Sequence, residues 1–440
     1  MNAANDLRDF YRSQFHERES VLPGACIPWV RQLRTRSLEQ FLDAGFPSTA
    51  DEDWKYTDVR TLARRRFAVA PASSAVLPAL PAVFEAHEFV FVDGRYAPQH
   101  SHPGALPPGL RVTSLAEALA GDAGSIEGWL GHDGVAHHGL LALNAAFLQD
   151  GAIVHIRPGV LVEQPIHLVF ISTGADDSAV YCRNRILAGA GSQATVVESY
   201  IGTGAAATLT NTVTDVVAEA GATLEHYRLQ REGEGAAHVG TTRVRQARAS
   251  RYTSHAVAFG ARLARHELYA RLEAEGAECV LNGLYAARGR QHSDQHTRID
   301  HLQPRGTSRE WYRGVLDDAA RAVFTGRVVV HPQAQHSDAQ QSNRNLLLSR
   351  DAEADSRPQL EIHADDVKCS HGQATGQLDP EQLFYLRSRG LDEPRARGLL
   401  VYAFAADVLA RMRLVPLRRQ LAAELAGRWL PAETMEVLLP

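Results

Sequence analysis

From residue 151 onward, short runs of β-branched residues alternate with glycine-containing breaks, and this repeat constrains the fold more than any other feature of the sequence. Most intervals between successive breaks are 13 to 17 residues long, with one of 25 residues. A repeat this short is too small for the unit of a helical solenoid. It fits a few strands of a β-solenoid coil, and each coil would bury its inner face by stacking on the next coil. The periodicity alone leaves a β-sandwich open. The breaks begin at Gly191, Gly204, Gly221, Gly235, Gly260, Gly276, Gly289 and Gly306.

The segment before this repeat has the patterns of a mostly helical region. Apolar residues at helical spacing predict a first helix over residues 5–19. A Ser-Leu-Glu-Gln capping box predicts that a second helix opens at Ser37 and runs to residue 44. Residues 71–82 have the composition of a linker, and an Asp-Gly turn predicts a β-hairpin over residues 88–96.

Three helices are predicted after the repeat. Pro380 suits the first position of a helix, which ends at Gly390. A second helix is predicted over residues 392–412 and a third over residues 417–427. These helices could cap the open end of a solenoid or bind a partner protein.

Composition narrows the class of protein. The chain has 440 residues, 45% of them hydrophobic, which is enough for two or three domains with a large core. The small net charge of −5 argues against general nucleic-acid binding. Neither a signal peptide nor a run long enough to span a membrane is apparent. Four scattered cysteines without a CxxC pair argue against a disulfide framework, so we expect a soluble cytoplasmic protein.

Two glycine motifs resemble nucleotide-binding loops. Both Gly189 and Gly202 begin a GxGxxA pattern. A dinucleotide site requires a helix after the glycines, because the helix N-terminus meets the pyrophosphate. A strand pattern follows Gly189 instead, and no P-loop motif occurs in the chain. We therefore expect no nucleotide site at these positions.

The densest cluster of chemically active residues lies at residues 361–371, where two histidines, a cysteine and three acidic residues are found. If residues 367–371 are extended, Cys369 and His371 face the same side of the strand. A thiol and an imidazole on one face form half of a site for a soft metal. A polar strand end that leads into a helix is the alternative interpretation.

The same region carries a resemblance to a known family. Residues 364–372, 376–379 and 383–390 closely resemble the C-terminal motif of the SufB/SufD family, the scaffold subunits of the SUF iron–sulfur cluster assembly complex. The Trp-Lys-Tyr-Thr sequence at residues 54–57 is similar to the SufD side of this family. SufB-like chains hold a cysteine in the segment matching residues 340–348, and this chain has Ser342, Asn343 and Arg344 there. The absent thiol also favours SufD over SufB.

The resemblance implies a mainly β fold with a parallel β-helix core at residues 151–365. A mostly helical N-terminal domain with a hairpin (residues 1–150) and a C-terminal helical domain (residues 366–440) would flank it. The expected function is that of a non-catalytic scaffold that pairs with SufB, binds the ATPase SufC, and forms a homodimer when alone. The expected residues for SufC binding are Phe384, Tyr385, Arg387 and Arg389.

The resemblance also implies a role for the thiol–imidazole pair. His371, and Cys369 beside it, would contribute to a shared site at the SufB interface, which holds iron or a nascent iron–sulfur cluster transiently. No stably bound cofactor is expected.

Two alternatives remain at this stage. A β-helix carbohydrate-active or acyl-transfer enzyme would need acid–base residues along a groove, and turnover of polysaccharide or acyl-CoA would reveal it. A SufB-type paralogue with a displaced cysteine would hold a cluster on the isolated chain.

Overall fold

A computed structural model describes residues 3–72, 77, 83–130, 138–202 and 204–430. Its core is a parallel β-solenoid of about seven turns, with helices at both ends of the chain. Successive strands alternate between two sheets of ten strands each, called here sheet A and sheet B. The parallel pairing between coils confirms the predicted solenoid and excludes the β-sandwich.

The N-terminal elements are mainly helical. The α-helices are α1 Ala3–Arg18, α2 Pro28–Ala44, α3 Arg60–Ala63, α4 Leu115–Gly121, α5 Gly124–Leu130 and α6 Gly139–Phe147, and the 3-10 helices are Glu52–Trp54 and Pro98–His100. The strands of this region are β1 Ala68–Val69, β2 His87–Val92, β3 Arg95–Tyr96 and β4 Leu110–Ser114.

The strands of the solenoid follow. In sheet A they are β5 Ala152–Ile156, β7 Ser178–Ala188, β9 Thr208–Ala218, β11 Ala237–Gln246, β13 Leu263–Leu272, β15 His292–His301, β17 Arg321–Val330 and β19 Glu353–Ile362. In sheet B they are β6 Ile166–Ser172, β8 Gln193–Gly202, β10 Thr223–Arg231, β12 Arg251–Ala258, β14 Glu278–Ala287, β16 Thr307–Leu316, β18 Asp338–Leu347 and β20 Lys368–Gly376. The C-terminal helices are α7 Pro380–Ser388, α8 Glu393–Leu409 and α9 Val415–Trp429.

The glycine breaks mark the bends between the two sheets. Each of the eight lies between two consecutive strands, so one interval is half a coil. Gly191 and Gly221, for example, have φ values of 66° and 67°, a conformation that glycine adopts without a steric penalty. The one long interval contains a bend without glycine, where Ala249 takes a φ of 54°. The repeat is therefore continuous in structure where it is interrupted in sequence.

The solenoid extends beyond the predicted core of residues 151–365 at both ends. On the N-terminal side, β2 of the hairpin pairs in parallel with β6 and so belongs to sheet B. The hairpin itself is confirmed, with Asp93 and Gly94 both at positive φ. On the C-terminal side, β20 pairs in parallel with β18 and lies past residue 365.

The second N-terminal helix begins nine residues before the predicted start, at Pro28 instead of Ser37. Ser37 is only 3% exposed and lies within the buried stripe that includes Val30, Leu38 and Phe41. Packing of this apolar stripe against the core decides where the helix runs, so the capping-box prediction at Ser37 is wrong. The predicted linker at 71–82 lies largely outside the described residues.

Candidate functional site

The C-terminal end of the solenoid is open. Strands β19 and β20 form the last positions of sheets A and B, so each has a neighbouring strand on one side only among the described residues. Nearly every residue of β20 is exposed, whereas β18, one coil earlier, has buried residues at alternate positions. The inward face of the solenoid is thus uncovered at this end.

Cys369 and His371 lie on that uncovered inward face. In the strand register they align with Ala339 and Gln341 of β18, which are 1% and 3% exposed inside the solenoid. Cys369 is partly buried and packs beside Ala339, while His371 is exposed because no further coil covers it. The predicted strand is confirmed, as is the prediction that both residues share one face.

Two buried polar residues lie directly behind His371 along the solenoid. Gln341 aligns with His371, and Glu310 of β16 aligns with Gln341. The Gln341 amide donates a hydrogen bond to the Glu310 carboxyl group. Burial raises the pKa of Glu310 to about 7, and interactions with Thr297 and Gln341 oppose that rise. Glu310, Gln341 and His371 thus form a column across three coils. The sequence patterns did not predict this column, although its residues are spaced one coil apart.

Burial also affects the thiol. It raises the pKa of Cys369, with the neighbouring Asp338 adding to the rise. The thiol therefore keeps its proton near neutral pH, and binding a metal would require the proton to leave.

Two acidic residues of the cluster at residues 361–371 pair with other side chains and not with Cys369 or His371. Glu361 pairs with Arg327 at 2.5 Å on the outer face of sheet A, and Asp366 pairs with His336 at 2.9 Å. Across the described part of the chain, no three His, Cys, Asp or Glu side chains are grouped so that they could hold a metal ion. Cys369 and His371 are thus an incomplete ligand set, two donors on an open edge.

The segment that would hold a cysteine in a SufB-like chain is strand β18. Asn343 faces the interior there, where its amide donates to the Tyr285 hydroxyl at 2.9 Å and accepts from Asn345 at 2.8 Å. Ser342 and Arg344 are the neighbouring positions. An amide network therefore occupies this part of the interior, and no thiol is present in the strand.

Helix α7 is stabilised by capping residues at its two ends and not by burial of an apolar face. Asp379 caps its N-terminus, and Gly390 follows its C-terminus with a φ of 93°. No residue of the helix is buried, and Phe384 and Tyr385 are 74% and 63% exposed. Two adjacent exposed aromatic side chains on a surface helix are characteristic of a protein interface. Arg387 lies within 3.4 Å of Glu393, and Arg389 is exposed.

Helices α8 and α9 pack along the side of the solenoid. Val401 and Leu421 join a buried cluster with Tyr227 and Leu284 of sheet B. Asp407 of α8 also pairs with Arg313 of β16 at 3.0 Å. These two helices therefore cover a face of sheet B and leave the inward face of β20 exposed, which argues against a simple end cap.

The N-terminal Trp-Lys-Tyr-Thr segment contacts sheet A, which sequence analysis did not identify. Trp54 is buried, and its ring centre lies 3.7 Å from the Arg265 guanidinium carbon of sheet A. The Thr57 hydroxyl donates to Asp294 at 2.5 Å, and Asp294 also pairs with Arg265. Trp54 is thus part of the core, whereas Tyr56 of the same segment is 38% exposed.

None of the helices that the structure describes combines the length and apolarity needed to cross a bilayer.

Family comparison agrees with this architecture. The model of the SUF system FeS cluster assembly SufBD core domain matches residues 170–404, and that of the SufBD protein N-terminal region matches residues 5–168. The chain belongs to the SufBD family of iron–sulfur cluster assembly proteins. Membership favours assembly over the carbohydrate-active and acyl-transfer alternatives.

Individual relatives place the chain within that family as a SufD-like member. It is 30% identical to the iron–sulfur cluster assembly protein SufD of Escherichia coli, over 89% of this chain and 91% of that protein. An iron–sulfur cluster assembly SufBD family protein of Synechocystis is 34% identical, over 85% and 86% of the two chains. SufD of Bacillus subtilis is 27% identical, over 90% and 93%.

Proposed function

We propose that this chain is a non-catalytic, SufD-type scaffold subunit of a cytoplasmic SUF complex. In this role it pairs with SufB, binds SufC and supplies His371 to a transient iron site. The observation that carries the proposal is the open end of the solenoid. An exposed imidazole and a thiol lie there on one face, beside two strand edges that no other described strand pairs with.

The open end is the proposed surface for SufB. Unpaired backbone groups at the edges of β19 and β20 favour pairing with another strand. The inward face of β20 is also exposed, and its residues align with buried residues of β18 one coil earlier. A partner could cover this face as well as the strand edges. A second solenoid of the same width would complete both features, so two copies of this chain pair by the same end when SufB is absent.

The pair His371 and Cys369 is the proposed contribution to metal chemistry. Imidazole and thiolate both suit iron, and an incomplete set of two donors needs further ligands from the partner. Iron bound between two chains can leave when the chains move apart, which suits delivery of iron to a nascent cluster better than storage. The iron or cluster is cargo in this proposal and not a resident cofactor.

Helix α7 is the proposed surface for SufC. Phe384 and Tyr385 supply apolar contact area, and Arg387 and Arg389 supply charges that can pair with carboxylates of the ATPase. Because α8 and α9 anchor this helix to sheet B, movement of SufC would act on the solenoid itself.

The test replaces His371 with alanine, with His363→Ala as the matched control. His363 is also an exposed histidine, and it follows the last strand of sheet A. We expect His371→Ala to leave SufB binding, SufC binding and ATP hydrolysis intact, with a stability change within about 0.5 kcal/mol. Iron–sulfur protein maturation should fail in cells that rely on SUF alone, and the purified complex should lose iron.

Cys369→Ser should have a milder effect, since thiolates from SufB can supply sulfur ligands. Normal growth and normal iron content with His371→Ala would contradict the proposal. So would an equal defect with His363→Ala, because that result would point to the surface charge of the region instead of a ligand.

A further inference from the structure

A groove far from the open end lies between helix α5 and the outer face of sheet A. Its volume is about 570 Å³, and it is lined by residues of α5 and of strands β7, β9, β11 and β13. Sites for small organic molecules have volumes of roughly 300–1,000 Å³. The groove therefore has the size of a ligand site, and none of its residues belongs to the proposed SufB, SufC or iron surfaces.

The charges that line the groove are unbalanced. Among the described residues, four arginines and two carboxylates line it. Asp215 pairs with Arg243 at 2.6 Å and also lies 3.5 Å from Arg183. Glu273 pairs with Arg245 at 3.0 Å and with Arg271 at 3.1 Å. Both carboxylates are thus already shared between two arginines, and a positive charge remains.

Arg185 differs from the other three arginines. Asp215 aligns with it on the neighbouring strand but already pairs with Arg243 and Arg183. No acidic side chain of the described residues lies within salt-bridge distance of it, and its buried Nε atom has no hydrogen-bond partner. Its guanidinium carbon lies 5.3 Å from the ring centre of Trp129 on α5, whose indole N–H donates to Asp215 at 2.8 Å. Burial lowers the pKa of Arg185; Asp215 opposes this decrease, and Arg245 adds to it.

Other arginines on the outer face of sheet A are paired with carboxylates, unlike Arg185. Further along it, Arg298 pairs with Asp300 at 2.9 Å and Arg327 pairs with Glu361 at 2.5 Å. A half-buried guanidinium with an unused donor is unfavourable unless an anion satisfies it. The planar guanidinium group of an arginine can donate two parallel hydrogen bonds to the oxygen atoms of a phosphate or carboxylate group.

We propose that this groove binds a small organic molecule that carries a multivalent oxyanion, either a phosphate group or several carboxylates. Arg185 binds the oxyanion from the floor of the groove, and Arg245 and Arg271 bind it from the exposed rim, where their side chains are 62% and 43% exposed. Trp129 forms the wall beside the organic part of the ligand.

The test is calorimetric titration of the purified full chain in magnesium-free buffer with three probes, ADP, citrate and acetate. ADP represents organic phosphates, citrate represents clustered carboxylates, and acetate is the monovalent control. We expect ADP or citrate to bind with a Kd below about 1 mM and acetate not to bind in that range. The probe that binds identifies the source of the oxyanion.

Variants then locate the binding. Arg185→Gln should weaken it about tenfold or more, since a charge-assisted hydrogen bond is lost, and Arg185→Lys should weaken it less. If Arg185→Gln does not fold, the rim variant Arg245→Gln with Arg271→Gln serves instead, because both side chains are solvent-accessible. Arg251→Gln is the matched control. It removes an exposed arginine that is paired with Glu278 on the opposite sheet.

Failure of both multivalent probes to bind would overturn the proposal. Binding of acetate as tight as that of citrate would also overturn it, and so would an equal loss of affinity in Arg251→Gln. None of these results depends on whether the chain works in iron–sulfur cluster assembly.

Discussion

Glu310 offers a quantitative test of the column behind His371. The residue is 1% exposed inside the solenoid, where the Gln341 amide donates a hydrogen bond to it. Burial disfavours the charged carboxylate, so replacing the carboxyl group with a neutral amide in Glu310→Gln should stabilise the protein at neutral and higher pH.

The magnitude follows from the shift in pKa. The pKa of Glu310 rises from an ordinary value of 4.5 to about 7 in the folded state. Each pKa unit corresponds to about 1.4 kcal/mol, so the folded protein loses about 3 kcal/mol of stability as the pH rises from 4.5 through 7. The sign follows because the folded state binds this proton more tightly than the unfolded state does. Glu310→Gln should therefore equal the original protein below pH 4.5 and exceed it by about 3 kcal/mol above pH 7.

The assay is urea unfolding followed by circular dichroism at pH 5 and pH 8 for both proteins. Glu234→Gln is the control, since Glu234 is exposed and its change should stay within about 0.5 kcal/mol at both pH values. A Glu310→Gln variant that is equally stable relative to the original protein at pH 5 and pH 8 would refute the reasoning. A variant that is less stable at pH 8 would show that the carboxylate is needed inside the solenoid.

Two further changes test the N-terminal and C-terminal contacts. Trp54→Ala removes the buried ring that contacts the Arg265 guanidinium, and it should destabilise the packing of the N-terminal helices on sheet A by about 3–5 kcal/mol. Hydrogen exchange of α1 and α2 measures this loss. Tyr56→Ala is the control and should have little effect, because Tyr56 is partly exposed. Normal protection of these helices in Trp54→Ala would contradict the role of the contact. Arg387→Glu with Arg389→Glu should weaken SufC binding at least tenfold without changing the circular dichroism spectrum, since both side chains are exposed and their charge is reversed. Unchanged affinity in a titration with SufC would contradict the proposed role of α7.

Local patterns predicted the features that depend on neighbouring residues. The common face of Cys369 and His371 follows from the two-residue period of an extended strand, whatever the strand packs against. The start of α7 at Pro380 and its end before Gly390 follow in the same way, because a missing N–H and a positive φ act on the nearest turn. The family resemblance rested on such short motifs and is confirmed over most of the chain.

Local patterns gave wrong or incomplete predictions where tertiary packing competes with them. The capping box at Ser37 satisfies a local rule, yet the buried stripe that includes Val30 and Phe41 continues the helix through it. The Trp54 segment likewise had no visible partner, because Arg265 and Asp294 lie more than 200 positions further along the chain.

By itself, the sequence determined that this region consists of short strands separated by bends, because glycine breaks recur every 13 to 17 residues in most cases and strand alternation is a property of the backbone. Only the tertiary structure decided which residues meet between coils. Glu310, Gln341 and His371 form one column, and Arg185, Asp215 and Arg243 lie side by side on the outer face. The register between coils depends on the length of every bend, and bends vary from coil to coil. Contacts between residues about 30 positions apart therefore follow from the folded solenoid and not from any local pattern.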